Sequence, residues 1–447
     1  MFCASKVRVG AAGGRFRPVE GEEAQPFRKH RGNPRYRISQ KAALVNPSGR
    51  SGRTSFREFL GLKRNLVLLL VAIIVIGAGE ETWMRFVPKY LESLAAAALV
   101  IGLYDGLKTL LGAVYAYPGG VVTDRWGHRK GLMAFTCLSI AGYVLVLLVP
   151  RWPAVVGGTF LFLAWSTLSL PAMFSLVATS LSSAKHTMGI GIQSLIKRVP
   201  IVIGPLIGGL LIDRYGVVGG VRAGLVISIV MGLIALLVQR RIQDDAIQVE
   251  TAPTGFFQVV KSFDPPLRRL LFSDILVRFC ERIPYAWVVI YAMDDVGVSA
   301  MQVGVLTATE MIVASACYIP VAYLAERYGR EPFVIATFFF FTVFPLTLLM
   351  AHSFTLLLVA FAVRGLKEFG DSPRKALIVG YARPEARGRT VGAYYLIRDT
   401  CVSAGSLLGA WLWQFGPRVN FWSAAALGAA GTTVYCATLL GRRQELR

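Results

Sequence analysis

The sequence predicts an all-α membrane protein: twelve transmembrane helices arranged as two pseudo-symmetric six-helix bundles. Three observations carry that prediction. First, the 447-residue chain is 54% hydrophobic and only 17% charged, with a mean hydropathy of +0.54. A soluble domain carries about a quarter charged residues, and so little polar surface cannot cover this much apolar mass. Second, apolar segments succeed one another from Asn65 almost to the end of the chain. Third, a charged turn at Gly119–Gly131, reading GGVVTDRWGHRKG, returns in fainter form around Glu326, 202 positions after Asp124.

Residues 1–64 hold fifteen Lys/Arg against four Asp/Glu, with many Gly, Ser and Pro and no long apolar run. They read as a disordered basic cytoplasmic arm. They are not a signal peptide, because no apolar core follows the basic start. The arm contributes half of the net charge of +22. Basic cytoplasmic segments of a membrane protein account for that charge, so no nucleic-acid partner is expected.

Twelve apolar segments then follow, at approximately 66–88, 97–123, 131–150, 153–182, 189–212, 217–238, 269–293, 301–325, 333–351, 354–382, 390–413 and 420–440. Each is long enough to cross a hydrocarbon core of about 30 Å as a helix. Helices satisfy their own backbone polar groups in lipid. The longest break is polar and contains Pro253, Pro265 and Pro266. The expected organisation is an N-terminal bundle at 65–238, a cytoplasmic loop at 239–268, a C-terminal bundle at 269–440 and a tail at 441–447. With the N-terminus inside, sixteen basic residues fall in short inner loops and the tail against five in outer loops. That bias places both termini in the cytoplasm.

Internal duplication shows in helices five and eleven. At an offset of 201, Lys197 meets Arg398, Arg198 meets Asp399, Gly204 meets Gly405 and Gly208 meets Gly409. At an offset of 202, Lys108 meets Glu310 and Pro171 meets Pro373.

Charge at lipid depth is the main functional signal. Each charge at bilayer centre costs about 2.5–3.5 kcal/mol on insertion scales, so such residues face a partner or a wet cavity. In helix seven, Asp274, Arg278, Glu281 and Arg282 share one face, and in helix ten so do Arg364, Lys367, Glu368 and Asp371. Helix one adds Glu80, Glu81 and Arg85; helix two adds Asp105 and Lys108; helix eight adds Glu310. Lys197, Arg198, Arg398 and Asp399 come from helices five and eleven. Many of these are expected to be structural ion pairs. Glu80 and Glu81 are the first candidates to carry a proton, because burial favours a neutral carboxyl, with Glu310 and Glu368 beside them. Candidate solute ligands are Arg85, Lys108, Arg278, Glu281, Arg282, Arg364, Lys367, Arg398 and Asp399. Arginine holds carboxylate or phosphate through two hydrogen bonds. Trp83, Trp165, Tyr104, Tyr115, Trp287 and Tyr291 are further candidates to line a cavity, of which about two are expected to do so.

In the charged turn, Gly120 precedes Asp124-Arg125, Gly127 allows the tight turn, and Arg129 belongs to the basic cluster. Glu326, Arg327, Gly329 and Arg330 form the copy. An Asp at that helix end can face a helix N-terminus of the other half and latch one conformation. Asp213-Arg214-Tyr215-Gly216 has a similar look but falls on the outer side, where it reads as an ordinary turn. Gly204, Pro205, Gly208 and Gly209 in helix five remove bulk and bend the helix, so that neighbours approach closely.

Twelve helices, a six-plus-six division and a twice-used Gly-x-x-x-Asp-Arg-x-Gly-basic loop together resemble the major facilitator superfamily of secondary transporters, over about residues 60–440. Gly204–Gly209, GPLIGG, is similar to the helix-five motif of its antiporters, many of them drug exporters. One feature departs from that branch. Such exporters carry an Arg in helix four linked to proton coupling, and no charged residue stands between Arg151 and Lys185. Phe279–Tyr285 also has a faint likeness to a helix-one signature of proton-coupled peptide transporters. The resemblance implies the major facilitator fold and alternating-access transport of a small organic solute. Proton-coupled export is the first expectation, and uptake or facilitated transport of an anionic metabolite (organic anion, sugar derivative or peptide) the second. It also implies a monomer in a cell membrane, the bacterial inner membrane, with the bilayer and protons as its other partners.

No enzyme, cofactor or metal centre is expected. Gly102–Thr109, GLYDGLKT, has Leu107 where a phosphate-binding loop needs Gly. The histidines at 30, 128, 186 and 352 are scattered. The six cysteines show no paired spacing.

Overall fold

The computed structural model describes residues 64–169, 186–243, 256–261, 263–381 and 387–445. Residues 1–63 of the basic arm, and residues 244–255 and 262 of the loop at 239–268, lie outside them. All regular structure among the described residues is helical.

The first half runs α1 (Arg64–Ser93), α2 (Ala98–Val114 and Ala116–Trp126), α3 (His128–Leu148) and α4 (Trp152–Leu168). Then His186–Gln239 is broken only at Gly216, whose φ is 72°; this divides it into α5 (186–215) and α6 (217–239). The second half begins with α7 (Pro265–Tyr285, Trp287–Ile290 and a π-turn at Tyr291–Asp295). It continues with α8 (Ala300–Tyr328), α9 (Glu331–Leu349) and α10 (Phe354–Leu366, Lys367–Gly370 and Asp371–Tyr381). It ends with α11 (Arg387–Trp413) and α12 (Pro417–Glu445).

Six described stretches are long and apolar enough by themselves to cross a membrane: Arg64–Ser93, His128–Leu148, Lys197–Gln239, Ala300–Cys317, Glu331–Leu349 and Pro417–Leu440. Of the other spans, α4 is apolar but shorter, at Trp152–Leu168, and α2, α7, α10 and α11 lose apolarity for a specific reason. They carry the charges at Asp105, Lys108, Arg278, Glu281, Arg282, Arg364, Lys367, Arg398 and Asp399, which turn inward rather than to lipid.

The two halves repeat in their turns as well as their helices. Left-handed backbone occurs at Ala95 and Gly297, at Gly127 and Gly329, and at Gly216 and Gly416. Each pair is half a chain apart. The Gly127 and Gly329 turns mark one face of the bundle, called here the basic face. The other pairs mark the opposite face.

Packing differs between the two faces. Near the opposite face, one apolar cluster joins the halves: Trp83, Phe86, Tyr104 and Leu225 share it with Trp287, Val303, Leu348 and Phe361. Toward the basic face the cores are separate. Leu69, Ile73, Phe135 and Trp165 pack within the first half, and Leu270, Val334, Phe338 and Tyr394 within the second. Polar contacts reinforce the join at the opposite face. Asp213, at the end of α5, accepts hydrogen bonds from the Ala300 and Met301 N–H groups at the start of α8, at 2.9 and 3.0 Å. Lys89 of α1 bridges Glu92 and Asp294.

Candidate functional site

A cavity of about 290 Å³ lies between the halves, lined by α1, α2, α5, α7, α8 and α10. Its shape starts with a break in α1. The helix stops at Glu80, three residues form a non-helical turn, and helix resumes at Met84. Glycines of α5 make room for this break. A Cβ on Gly204 would collide with Glu81, and one on Gly208 with the Thr82 carbonyl. Gly209 meets the backbone of Ala300 and Met301 in α8 instead. The helix-five motif therefore packs against both halves at once.

Ten charged side chains line the cavity. Arg85, Lys108, Arg278, Arg282, Arg364 and Lys367 supply six positive charges; Glu81, Asp105, Glu281 and Glu310 supply four negative ones. Glu310 accepts from Arg85 at 2.9 Å and lies 3.2 Å from Arg364 and 3.3 Å from Lys367. Glu281 pairs with Arg278 at 2.6 Å and Lys367 at 2.8 Å. Asp105 accepts from Arg282 at 3.4 Å and from Ser406 at 2.6 Å. The Arg85–Glu310 and Arg282–Asp105 pairs cross from one half to the other. Tyr285 lies beneath two guanidinium groups, 4.7 Å from Arg282 and 5.4 Å from Arg364, an attraction of the ring face for cations.

Other predicted residues go elsewhere. Glu80 accepts a 2.6 Å hydrogen bond from Tyr143. It lines a smaller cavity of about 140 Å³ inside the first half, with Glu81, Trp165 and Lys197. Glu81 and Ile201 border both cavities. Glu368 lies 3.5 Å from Arg198 across the halves. Arg398 and Asp399 pair with each other at 2.7 Å, away from the main cavity. Asp274 does not line the cavity: it pairs with Arg374 at 2.6 Å, with Tyr394 and Arg398 beside it, and keeps Arg278 of its own helix at 3.9 Å. Of the aromatic candidates, Tyr104 and Trp165 line a cavity. Trp83 instead donates to Ser228, Tyr115 donates to the Phe160 carbonyl, Trp287 stacks on Trp413, and Tyr291 packs edge-on against Phe421.

In the predicted gating turn, Gly127 and Gly329 have φ of 80° and 90°. Arg125, Glu326, Arg327 and Arg330 are exposed and Arg129 is half-buried. Arg330 donates to the Ala376 carbonyl at 3.3 Å. Gly120 and Asp124 lie in Ala116–Trp126, and the Asp124 side chain is outside what the structure describes. A contact of the kind expected there, a carboxylate on a helix N-terminus of the other half, is made at the opposite face by Asp213. Sequence reading also missed Arg374, Tyr285 and Ser406 as partners. Asp213 had a signal, since DRYG repeats the Asp-Arg-x-Gly of the turn; Ser406 had none.

Comparison with known proteins follows from this geometry. A sequence model of the Major Facilitator Superfamily matches residues 68–279 and again 270–446. Multidrug resistance protein MdtH of Yersinia pestis (strain Pestoides F) is 27% identical over 159 residues, 35% of this chain and 40% of MdtH. The match thus spans about two fifths of that relative. The nucleoside transporter NupG superposes with a TM-score of 0.72 at 10% identity, over 83% of this chain and 99% of NupG. A POT family transporter in complex with 5-aminolevulinic acid gives 0.72 at 12% identity, over 86% and 96% of the two chains. The human organic anion transporter MFSD10 gives 0.61 at 14% identity, over 83% and 99%. At these identities the superpositions speak for the fold. The two successive matches of the family model fall on the two halves that share the cavity, and the chain belongs to the major facilitator superfamily of membrane transporters.

Proposed function

We propose that this chain is a proton-coupled secondary transporter of a small, polar, negatively charged organic solute, bound in the cavity between the halves and moved by alternating access. One observation carries the reading: six basic side chains line the cavity against four acidic ones. Buried charge needs compensation, and a site with a surplus of cations is complementary to an anion. Glu80 and Glu81 are the proton-carrying candidates, since both border water-sized space at the α1 break. We place the basic face in the cytoplasm, on the distribution of Lys and Arg in the short loops, with the protein acting as a monomer in a cell membrane. The arrangement described is then closed on the outer side.

Export of drugs is a second reading. The partial likeness to MdtH favours it, as does the glycine-rich packing of α5 on α1 and α8. Purified protein in liposomes separates the two. Under an imposed proton gradient, the first reading expects movement of organic anions and the second movement of lipophilic cations. Glu80→Gln combined with Glu81→Gln should uncouple solute movement from the gradient while the protein stays folded. Full coupling in that double variant would reject the carboxylate assignment.

A further inference from the structure

We propose that the solute is a doubly charged anion, a dicarboxylate or a phosphate monoester, and that Arg364 supplies the fork that grips one of its oxyanion groups. This rests on the anionic-solute reading above and adds to it the number of charges and the residue that meets them.

The placement of buried charge carries the first part. One continuous cluster runs along the cavity wall. Arg278 pairs with Glu281 at 2.6 Å, and Glu281 with Lys367 at 2.8 Å. Lys367 lies 3.3 Å from Glu310, which also holds Arg85 at 2.9 Å and Arg364 at 3.2 Å. Four cations thus share two carboxylates, and each carboxylate already faces more than one of them. The other four charges of the cavity cancel. Arg282 is paired with Asp105 at 3.4 Å, and Lys108 and Glu81 bring one charge of each sign.

Neighbouring charges at membrane depth balance among themselves. Arg374, Lys375 and Arg398 meet Asp274, Asp371 and Asp399. Arg198 meets Glu368, and the smaller cavity holds Glu80 and Lys197. Asp274 approaches Arg278 only to 3.9 Å. With every carboxylate ionised, the surplus of two positive charges therefore belongs to the main cavity, within the Glu281–Glu310 cluster. Uncompensated charge away from bulk water is costly. An occupant with two negative charges closes the balance, and one with a single charge leaves a cation over.

Arg364 carries the second part. Its guanidinium lies 5.0 Å from the Phe344 ring, 5.4 Å from Tyr285 and 5.6 Å from Phe361. Three ring faces attract it and fix its position. Its Nε is 3.2 Å from Glu310. Its two terminal nitrogens make no hydrogen bond among the described residues. Nor are they sealed in: the enclosed, unpaired arginine nitrogens are Arg278 Nε and Arg398 Nη1. Arg364 is 3% exposed and lines the cavity, so its free end opens there. That end presents two parallel N–H groups, which match two oxygens of one carboxylate or phosphate. The other cations of the cluster are already donating. Arg85 donates to Glu310 and Thr307, and Arg278 and Lys367 donate to Glu281. The first oxyanion group accordingly falls to Arg364, and the rest of the cluster answers the second charge.

The test compares ligands that differ by one charge and one methyl group. Malonate, succinate and glutarate are each set against their monomethyl esters, and methyl phosphate against dimethyl phosphate. At about pH 8 the carboxyl groups and the phosphate monoester are fully ionised. Binding to the purified full-length protein is measured by calorimetry. At least one dianion is expected to bind roughly tenfold or more tighter than its own methyl ester. Which pair shows the difference distinguishes a dicarboxylate from a phosphate monoester. Arg364→Gln should abolish binding. Arg364→Lys, which keeps the charge without the fork, should weaken both members of the pair several-fold and keep their ratio. Lys367→Met leaves Arg364 in place and lowers the surplus to one, so the preference for the dianion should shrink to a few-fold. Wild-type affinity in Arg364→Gln, or an undiminished preference in Lys367→Met, would overturn the proposal. If the esters bind the wild type as tightly as the dianions, the double charge is wrong and the anionic-solute reading stands. If no organic anion of either charge binds, that reading falls and this inference with it.

Discussion

Glu310 holds three cations with one carboxylate while 2% exposed. Removing one partner of a buried ionic cluster leaves the others uncompensated, at about 3–5 kcal/mol. Glu310→Ala is therefore expected to lower unfolding stability by that order, measured by denaturant or thermal unfolding in detergent. Lys367→Met should cost clearly less, because Glu310 keeps Arg85 and Arg364, and Glu281 keeps Arg278. Equal losses in the two variants would contradict the picture of Glu310 as the hub. At this scale the sequence was legible in part. The spacing of Arg278, Glu281 and Arg282 put them on one face, and that face lines the cavity. The same spacing included Asp274, which turns to Arg374, Tyr394 and Arg398. A helical face is wide, and which neighbour meets each part of it depends on α10 and α11. Nothing in the spacing along α7 encodes that choice.

The break in α1 and the glycines of α5 form one device. The sequence showed the glycines, and close packing was the expectation; that they fit around a helix break at Glu81–Trp83 was not readable, because Glu81, Thr82 and Trp83 include no helix-breaking proline or glycine. Gly208→Ala pushes a methyl group into the Thr82 carbonyl, and such overpacking typically costs about 1–3 kcal/mol. Gly112→Ala, with nothing within 4 Å of the added carbon, serves as the comparison and should be neutral or slightly stabilising. A Gly208→Ala protein as stable as Gly112→Ala would remove the packing argument. Asp213 belongs to the same scale. It caps α8 from the other half, and losing such a cap costs about 0.5–2 kcal/mol. Asp213→Asn keeps the shape but weakens the attraction for the helix N-terminus. It should raise the accessibility of a cysteine placed at Met301 to a water-soluble thiol reagent. Unchanged labelling would show that this contact does not hold the face shut.

At the scale of the molecule, the duplication was visible in sequence as shared glycines and charges at offsets of 201 and 202, and it returns as paired left-handed turns at Ala95 and Gly297, Gly127 and Gly329, and Gly216 and Gly416. What no sequence pattern held was the conformational state, because both end states of a rocking carrier use the same residues. The packing supplies it. One apolar cluster spans both halves near the opposite face, and separate clusters serve each half near the basic face. Alternating access requires the shared cluster to part and the Asp213 and Lys89 contacts to break. A covalent tie across that face should therefore stop transport without emptying the site. Lys89 and Asp294 already touch across the halves. With the exposed Cys137 and Cys401 replaced, Lys89→Cys and Asp294→Cys joined by oxidation or a short bifunctional reagent should leave solute binding in detergent intact and abolish transport in liposomes. Reduction, or omission of the reagent, should restore it. Full transport by the cross-linked protein would mean that this face need not open, and the rocking of two halves about the charged cavity would have to be given up.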